Sequence, residues 1–311
     1  MARLVDPATG DDERKRFLLA MNRRAPSSDE LAGLAEALRE RAVPVPAAGR
    51  LVDTCGTGGD GLHTVNISTA AAFVAAGAGA AVAKHGNRAV SSRCGSADVL
   101  EALRVPTDLG PEEAARSLER ARFAFLAAPR YHPAMAAVGP ARKALGVRTV
   151  FNLLGPLVNP ARVRRQAVGV WEAGLMTAYA ETLLALGAER ALVVRGEEGM
   201  DELSVCGPSR VLRAEPASGV RAAEVTPEAL GLRRRALAEL AGGDAPYNAR
   251  RIEETLTGAE GAVRDAVLLN AAAALVAAGA AETLKEGLAK ARESVDSGAA
   301  RGTLEAARGA R

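Results

Sequence analysis

Aromatic side chains are scarce in this chain: one tryptophan, three tyrosines and five phenylalanines in 311 residues. The core must therefore be aliphatic. With 32 glycines and abundant alanine, its helices can approach one another closely. Cysteines are few. Cys55, Cys94 and Cys206 show no Cys-x-x-Cys spacing, and their odd number argues against a disulfide framework. Neither sign of charge prevails: 40 basic against 37 acidic residues give a net +3, too mild and too dispersed to imply nucleic acid or a membrane as partner. The longest apolar run, residues 70–83, contains two glycines and is too short for a bilayer. No basic-then-apolar segment opens the chain. The expectation is a cytoplasmic protein, in which the Asn66-Ile67-Ser68 glycosylation sequon is a chance match.

The length allows two domains, or one large α/β domain with an appendage. Residues 11–42 read as two short helices, with Leu31, Leu34, Ala35 and Leu38 on one face. Pro44 and Pro46 mark a linker. Strands are expected at 51–54, 80–83, 123–126, 166–170 and 191–195, and helices at 67–76, 97–103, 112–122, 132–145 and 174–186. The last third reads as mainly helical, at 248–257, 263–278 and 283–294. Such alternation implies an α/β fold with a mostly parallel central sheet covered by helices on both faces.

Residues 53–98 carry the chemistry. Gly56-Thr57-Gly58-Gly59-Asp60-Gly61 follows a strand, and glycines let backbone N–H groups approach a pyrophosphate without interference from a Cβ. The run also fits the dinucleotide pattern G-x-G-x-x-G. Against that, the next helix starts several residues later, at Asn66, and the following strand ends in Lys84 where a ribose-binding acid would stand. Asn66-Ile67-Ser68-Thr69 opens an apolar helix. These side chains could cap that helix, or Ser68 and Thr69 could donate to a phosphate drawn to its free N–H groups. Lys84-His85-Gly86-Asn87-Arg88 reads as a turn at a strand's carboxyl end, with Lys84 a point charge for pyrophosphate and Asn87 a partner for ribose hydroxyls. Ser91, Ser92 and Ser96 form a third phosphate-friendly helix start.

At these residues the chain resembles the anthranilate phosphoribosyltransferases of tryptophan biosynthesis. The family's GTGGD, NIST, KHGNR and SS-x-x-GSAD motifs stand at 56–60, 66–69, 84–88 and 91–98. The likeness continues through Tyr131-His132-Pro133-Ala134-Met135, Arg142, residues 148–156 (RTVFNLLGP), 199–204 (GMDELS), 242–245 (GGDA) and 264–270 (RDAVLLN). It implies Mg²⁺-dependent transfer of phosphoribose from 5-phosphoribosyl 1-pyrophosphate (PRPP) to the amine of anthranilate, with release of pyrophosphate. By motif match, Gly56, Gly58, Gly59, Asp60, Asn66, Ser68, Thr69, Lys84 and Asn87 would hold PRPP, and Asp201 and Glu202, with Ser68, the magnesium. Gly56, His85, Asn87, Pro129, Met135, Arg142 and Gly155 would shape the anthranilate site. The family fold implies a small helical domain, residues 1–49 with about 133–162, joined to an α/β domain, 50–132 with about 163–311, usually as a homodimer.

The chemistry suits these residues. Breaking the ribose C1–oxygen bond builds negative charge on the leaving pyrophosphate, so the catalyst must stabilise that group and position the amine. An adjacent Asp201-Glu202 pair suits Mg²⁺, which fills its octahedron with substrate oxygens and water. The amine of anthranilate is neutral at physiological pH, so no strong base is needed. By itself Arg142 reads as an exposed helix-surface residue, but on this resemblance it would be a bidentate partner for the carboxylate, and His85 would position the amine rather than take its proton late. His132 reads equally as a structural hydrogen-bonding group.

Departures from the family pattern are few. Members carry a longer helical stretch before the segment that begins here near Arg16, where this chain has a short polar opening. Arg195 stands where a histidine is usual, Arg104 where glycine is common, and Ala127-Ala128-Pro129 where Phe-Ala-Pro is frequent. The last of these departures implies a roomier aromatic pocket, so another aminobenzoate or aromatic acceptor is the alternative substrate. A pyrimidine nucleoside phosphorylase would carry Ser-Thr-Gly-Gly after Lys-His instead of Gly86-Asn87-Arg88. A nucleic-acid-binding relative would lack the intact motifs.

Overall fold

Three buried residues, Leu51–Asp53, form the shortest strand (β1), an interior strand that stands third in a seven-stranded sheet. The computed structural model describes residues 1–89 and 93–310. The other strands are β2 (Ala81–Gly86), β3 (Phe123–Ala127), β4 (Arg165–Gly169), β5 (Arg190–Gly196), β6 (Ser209–Glu215) and β7 (Gly219–Val225), in the order β3-β2-β1-β4-β5-β6-β7. The first five run parallel. β6 and β7 form an antiparallel extension on β5.

The chain opens with α1 (Ala2–Val5), α2 (Asp11–Met21) and α3 (Ser28–Arg39). α3 starts on a capping box, in which the Ser27 hydroxyl accepts from Glu30 N and the Glu30 carboxylate from Ser27 N. Its buried face holds Leu31, Leu34, Ala35 and Leu38, as the spacing expects. Then come α4 (Ile67–Gly77), α5 (Ser96–Ala102), α6 (Pro111–Ala121), α7 (Ala128–Tyr131), α8 (Gly139–Leu145), α9 (Val150–Leu154) and α10 (Met176–Ala185). The last four are α11 (Ala245–Leu256), α12 (Ala262–Ala278), α13 (Leu284–Asp296) and α14 (Ala299–Arg308).

Helices cover both faces of the sheet. One apolar cluster packs α4 and α12 with residues of α11, α13 and α14 against Val52, Val82 and Leu192. Another joins α3, α9 and α10 to Val168, Val193 and Leu212. Small residues make the first cluster tight: a Cβ on Gly77 would lie 2.6 Å from Ala300 N, and one on Gly287 2.8 Å from Ala272 O.

Four sequence expectations need correction. The polar opening contains α1, whose Leu4 and Val5 are buried while Arg14 donates to the carbonyls of Leu4 and Asp6. Lys84, His85 and Gly86 belong to β2 and pair with Phe125, Leu126 and Ala127, so they are strand and not turn. The single helix at 132–145 is a 3₁₀ segment, Pro133–Val138, followed by α8, because Pro140 has no N–H to continue a helical ladder. The hairpin at 209–225 had no counterpart in the reading. Its outer strand is largely exposed, so it lacks the apolar alternation that marks a strand.

Candidate functional site

The glycine loop connects β1 to the segment before α4, at the carboxyl end of the parallel strands. A Cβ on Gly56 would fall 2.7 Å from Asp201 Oδ2, so any other residue there would push the Asp201 carboxylate aside. Gly58 and Gly59 take φ of +65° and +81°, a region that other residues enter at a cost. Gly58 N donates to Asp201 Oδ2 at 2.7 Å, and Thr57 donates through both N and Oγ1 to Gly169 O. Gly169 itself escaped the sequence reading. A Cβ there would sit 1.3 Å from Asp201 O, so the end of β4 and the acidic loop are in backbone contact. The only sequence signal was a glycine at a strand's carboxyl end.

Asp201 and Glu202 are partly buried and electrostatically crowded. Burial, then the neighbouring Asp60, pushes the Asp201 carboxyl up to about 7. Burial, Asp201 and Asp60 hold Glu202 well above the usual range, while the Ser68 N–H, 3.0 Å from its Oε1, and Lys84 pull the other way. Among the described residues no three His, Cys, Asp or Glu side chains gather as a ready metal cage. A cation here would have two carboxylates and draw the rest of its shell from hydroxyl, ligand and water oxygens, which is the habit of a hard divalent ion.

Lys84 is only 2% exposed. Its Nζ donates to Thr54 Oγ1 (3.2 Å) and Ser68 Oγ (3.3 Å), which aims a buried ammonium at the start of α4. Thr69 Oγ1 is buried without a partner. Asn66 does not cap its helix. Its Nδ2 donates to Cys94 O and its Oδ1 accepts from Asn248 Nδ2, while Asn248 Oδ1 accepts from Gly243 N. The helix start is thus tied to two remote loops. Ser96 Oγ donates to Asn87 O. Ser91 and Ser92 lie outside the described residues.

The acceptor residues divide into two groups. His85 Nδ1 lies 2.8 Å from Gly155 O. A carbonyl only accepts, so Nδ1 carries the proton and the buried Nε2, which has no partner, keeps a lone pair. Burial, with His132 next, pushes the His85 pKa down to about 3, so the ring is neutral. The His132 ring is edge-on at 5.1 Å, and burial lowers its pKa to about 4. Beneath them Asp53 accepts from Cys55 N, His85 N and Asn159 Nδ2. Burial raises it to about 6.

Arg142 lies over the Phe151 ring at 5.4 Å with no acidic partner among the described residues. Gly155 has open space where a Cβ would be, and Met135 packs at the edge of the second cluster. Pro129 is not joined to these residues. It is exposed on α7 and lines, with Asn87, Arg88, Arg104 and Arg130, a cavity of about 790 Å³ that no glycine-loop residue borders.

Residues 48–301 match the model of a glycosyl transferase family, a/b domain. The anthranilate phosphoribosyltransferase of Anaeromyxobacter dehalogenans (strain 2CP-C) is 52% identical over 305 residues, covering 98% of this chain and 90% of its own. That of Rubrobacter xylanophilus is 53% identical over 303 residues, 97% and 88% of the two chains. The crystal structure of anthranilate phosphoribosyltransferase from Thermus thermophilus superposes with a TM-score of 0.93 at 46% identity, over 99% of this chain and 92% of that one. The Saccharomyces cerevisiae enzyme in complex with PRPP and Mg gives 0.85 at 31% identity, over 91% and 80%.

Proposed function

This chain belongs to the anthranilate phosphoribosyltransferases, and on that premise we propose how its residues divide the work of the reaction. The enzyme transfers the 5-phosphoribosyl group of PRPP to the amine of anthranilate, with Mg²⁺, giving N-(5-phosphoribosyl)anthranilate and pyrophosphate in tryptophan biosynthesis. The observation that carries the assignment is the junction of the glycine loop with the acidic pair, where Gly58 N is bonded to Asp201.

Asp201, Glu202 and the Ser68 hydroxyl are the protein ligands we assign to Mg²⁺. Their all-oxygen set and mutual repulsion suit a hard divalent cation. When bound, the ion neutralises charge on the leaving pyrophosphate. We assign PRPP to the glycine loop at Gly56, Gly58 and Gly59, where Gly58 N already donates to Asp201, with Asp60, Asn66, Thr69, Lys84, Asn87 and Ser96. Ser91 and Ser92 join this set by motif match alone and lie outside the described residues. Thr69 Oγ1 is the group in most evident need of a partner. Lys84, already solvent-free, meets the growing negative charge without first shedding water.

Arg142 pairs with the carboxylate of anthranilate, for which its unpaired guanidinium is suited. His85 orients the amine by accepting one N–H at Nε2, a role its fixed tautomer supports. The amine nitrogen bonds to ribose C1, the C1–oxygen bond breaks, pyrophosphate leaves with the electron pair, and the amine loses a proton. Gly56, Asn87, Met135 and Gly155 complete the acceptor site in this reading, and Pro129, exposed on α7, stands apart from it.

The same reading divides the chain into a helical lobe, residues 1–49 with about 133–162, and an α/β lobe, 50–132 with about 163–311. α3 and α9 pack together, and the same apolar cluster takes in α10 and strand residues Val168, Val193 and Leu212, so the two lobes share one seam. The reading places the enzyme in the cytoplasm, which suits three free thiols, and as a homodimer, for which the exposed Phe17 and Leu19 on α2 and Val147 offer apolar surface. No helix among the described residues is long and apolar enough to cross a membrane.

The test is the fluorescence of anthranilate mixed with purified protein, PRPP and Mg²⁺. A decay that requires all three is expected. No decay, with PRPP binding intact, would overturn anthranilate as acceptor.

A further inference from the structure

We propose that Arg148 is a pyrophosphate-binding residue that lies across the glycine loop, an assignment that rests on the phosphoribosyl-transfer reading above. Arg148 is exposed just ahead of α9, and its carbonyl accepts from Asn22 Nδ2 at 2.6 Å. Its guanidinium stands over the Trp171 ring at 5.2 Å. No carboxylate pairs with it among the described residues. It rests instead on backbone: a Cβ on Gly59 would come within 3.3 Å of Arg148 Nε. Glycine at 59 therefore serves two ends, a left-handed turn and a bare surface on which the guanidinium can lie.

The platform is itself fixed. Trp171 O accepts from Arg195 Nε at 2.9 Å, which gives a structural task to the arginine that departs from the family's usual histidine. The glycine loop thus has Asp201 bonded at Gly58 and an uncommitted planar cation at Gly59. A pyrophosphate lying on the loop meets both. A guanidinium binds phosphate oxygens in bidentate fashion, and stacking on an indole holds it in place with little loss of rotamer freedom. Arg148 belongs to the leaving group's end of the substrate.

The experiment compares wild type with Arg148→Ala and Arg148→Lys in steady-state kinetics and in calorimetric titration with inorganic pyrophosphate and Mg²⁺. Arg148→Ala should raise the KM for PRPP about 10- to 100-fold, the usual effect of losing a charge-assisted contact. The KM for anthranilate and the melting temperature should stay put, and lysine should recover part of the loss. Pyrophosphate binding should weaken in step, and the emission of Trp171, the only tryptophan, should respond to pyrophosphate in wild type but not in Arg148→Ala.

Unchanged PRPP KM and pyrophosphate affinity in Arg148→Ala, with wild type active, would overturn the assignment and leave the reaction standing. A loss confined to ribose 5-phosphate, titrated alone, would also overturn it. Equal losses for both substrates with a lowered melting temperature would reduce Arg148 to a structural residue. A wild type that does not consume PRPP would bring down the reading and this assignment together.

Discussion

Asn248 and Asn66 share one amide hydrogen bond, 2.9 Å from Nδ2 to Oδ1, across 182 positions of sequence. Asn248 is 1% exposed and spends its own carbonyl on Gly243 N. The bond fixes which way the Asn66 amide faces and hence how it reaches Cys94 O.

Replacing Asn248 with leucine keeps the branched four-atom outline of the side chain and strands Asn66 Oδ1 and Gly243 N. We expect a loss of about 1–3 kcal/mol, the cost of unsatisfied buried groups. Urea unfolding monitored by circular dichroism would measure it, and a variant as stable as wild type would contradict the role given to this pair.

Gly169→Ala should nearly abolish turnover. The methyl would occupy the position of Asp201 O, so the acidic loop must move, and a displacement near 1 Å costs about 100-fold in rate. Gly155→Ala is the contrast, since its Cβ meets nothing within 4 Å. Stability should hold there, and the KM for anthranilate is the quantity to watch.

Asp201→Asn combined with Glu202→Gln should remove Mg²⁺-dependent activity and raise the melting temperature of the metal-free protein. Both folded-state pKa values lie above the ordinary ones, so near neutral pH the charged forms oppose folding. The amides retain an oxygen for Gly58 N and Ser68 N. Differential scanning calorimetry with and without Mg²⁺-pyrophosphate separates the two effects, and a double variant at wild-type rates would refute the ligand assignment.

Arg142→Gln should raise the KM for anthranilate by about 10- to 100-fold, equivalent to about 1.5–3 kcal/mol for a hydrogen bond to a charged group, and leave the KM for PRPP alone. Because Arg142 has no acidic partner among the described residues and gives up only its contact with the Phe151 ring, the melting temperature should change little. A shift in PRPP KM instead would relocate this residue.

His132 supplies a pH test with a definite sign. Its folded pKa of about 4 lies below the ordinary 6.5, so its contribution is fully present above 6.5 and is lost as pH falls toward 4. Asp53, raised to about 6, works in the opposite sense, so the measurement is differential. The stability of wild type relative to His132→Gln should drop by about 1.4 kcal/mol per pH unit within that window. Parallel curves would mean that His132 is not held neutral.

Much of the site was legible because it is made of contiguous runs. Gly56–Gly61, Asn66–Thr69 and Asp201-Glu202 do their work as local loop and helix-start geometry, which leaves a written pattern. Gly169, Asn159 and Asn248 act across the fold, and a lone glycine or asparagine carries no local mark of that. Lys84 and His85 were placed on the right feature but in the wrong conformation, since only pairing with β3 shows that the strand extends through them. Arg104 reverses the lesson. Its φ of +62° explains why glycine is common at that place, a departure noticed in sequence and understood only in structure.

The bonds from Asn248 to Asn66, and from Asn270 to both the N and the O of Leu203 beside the acidic pair, set a timetable for biosynthesis. Every substrate-facing motif leaves the ribosome well before the residues that hold it in shape. A nascent chain that ends ahead of Asn248 carries the glycine loop, the lysine and both acids, yet lacks the clamps that make them a site. Affinity for PRPP therefore arrives late, with the C-terminal helices.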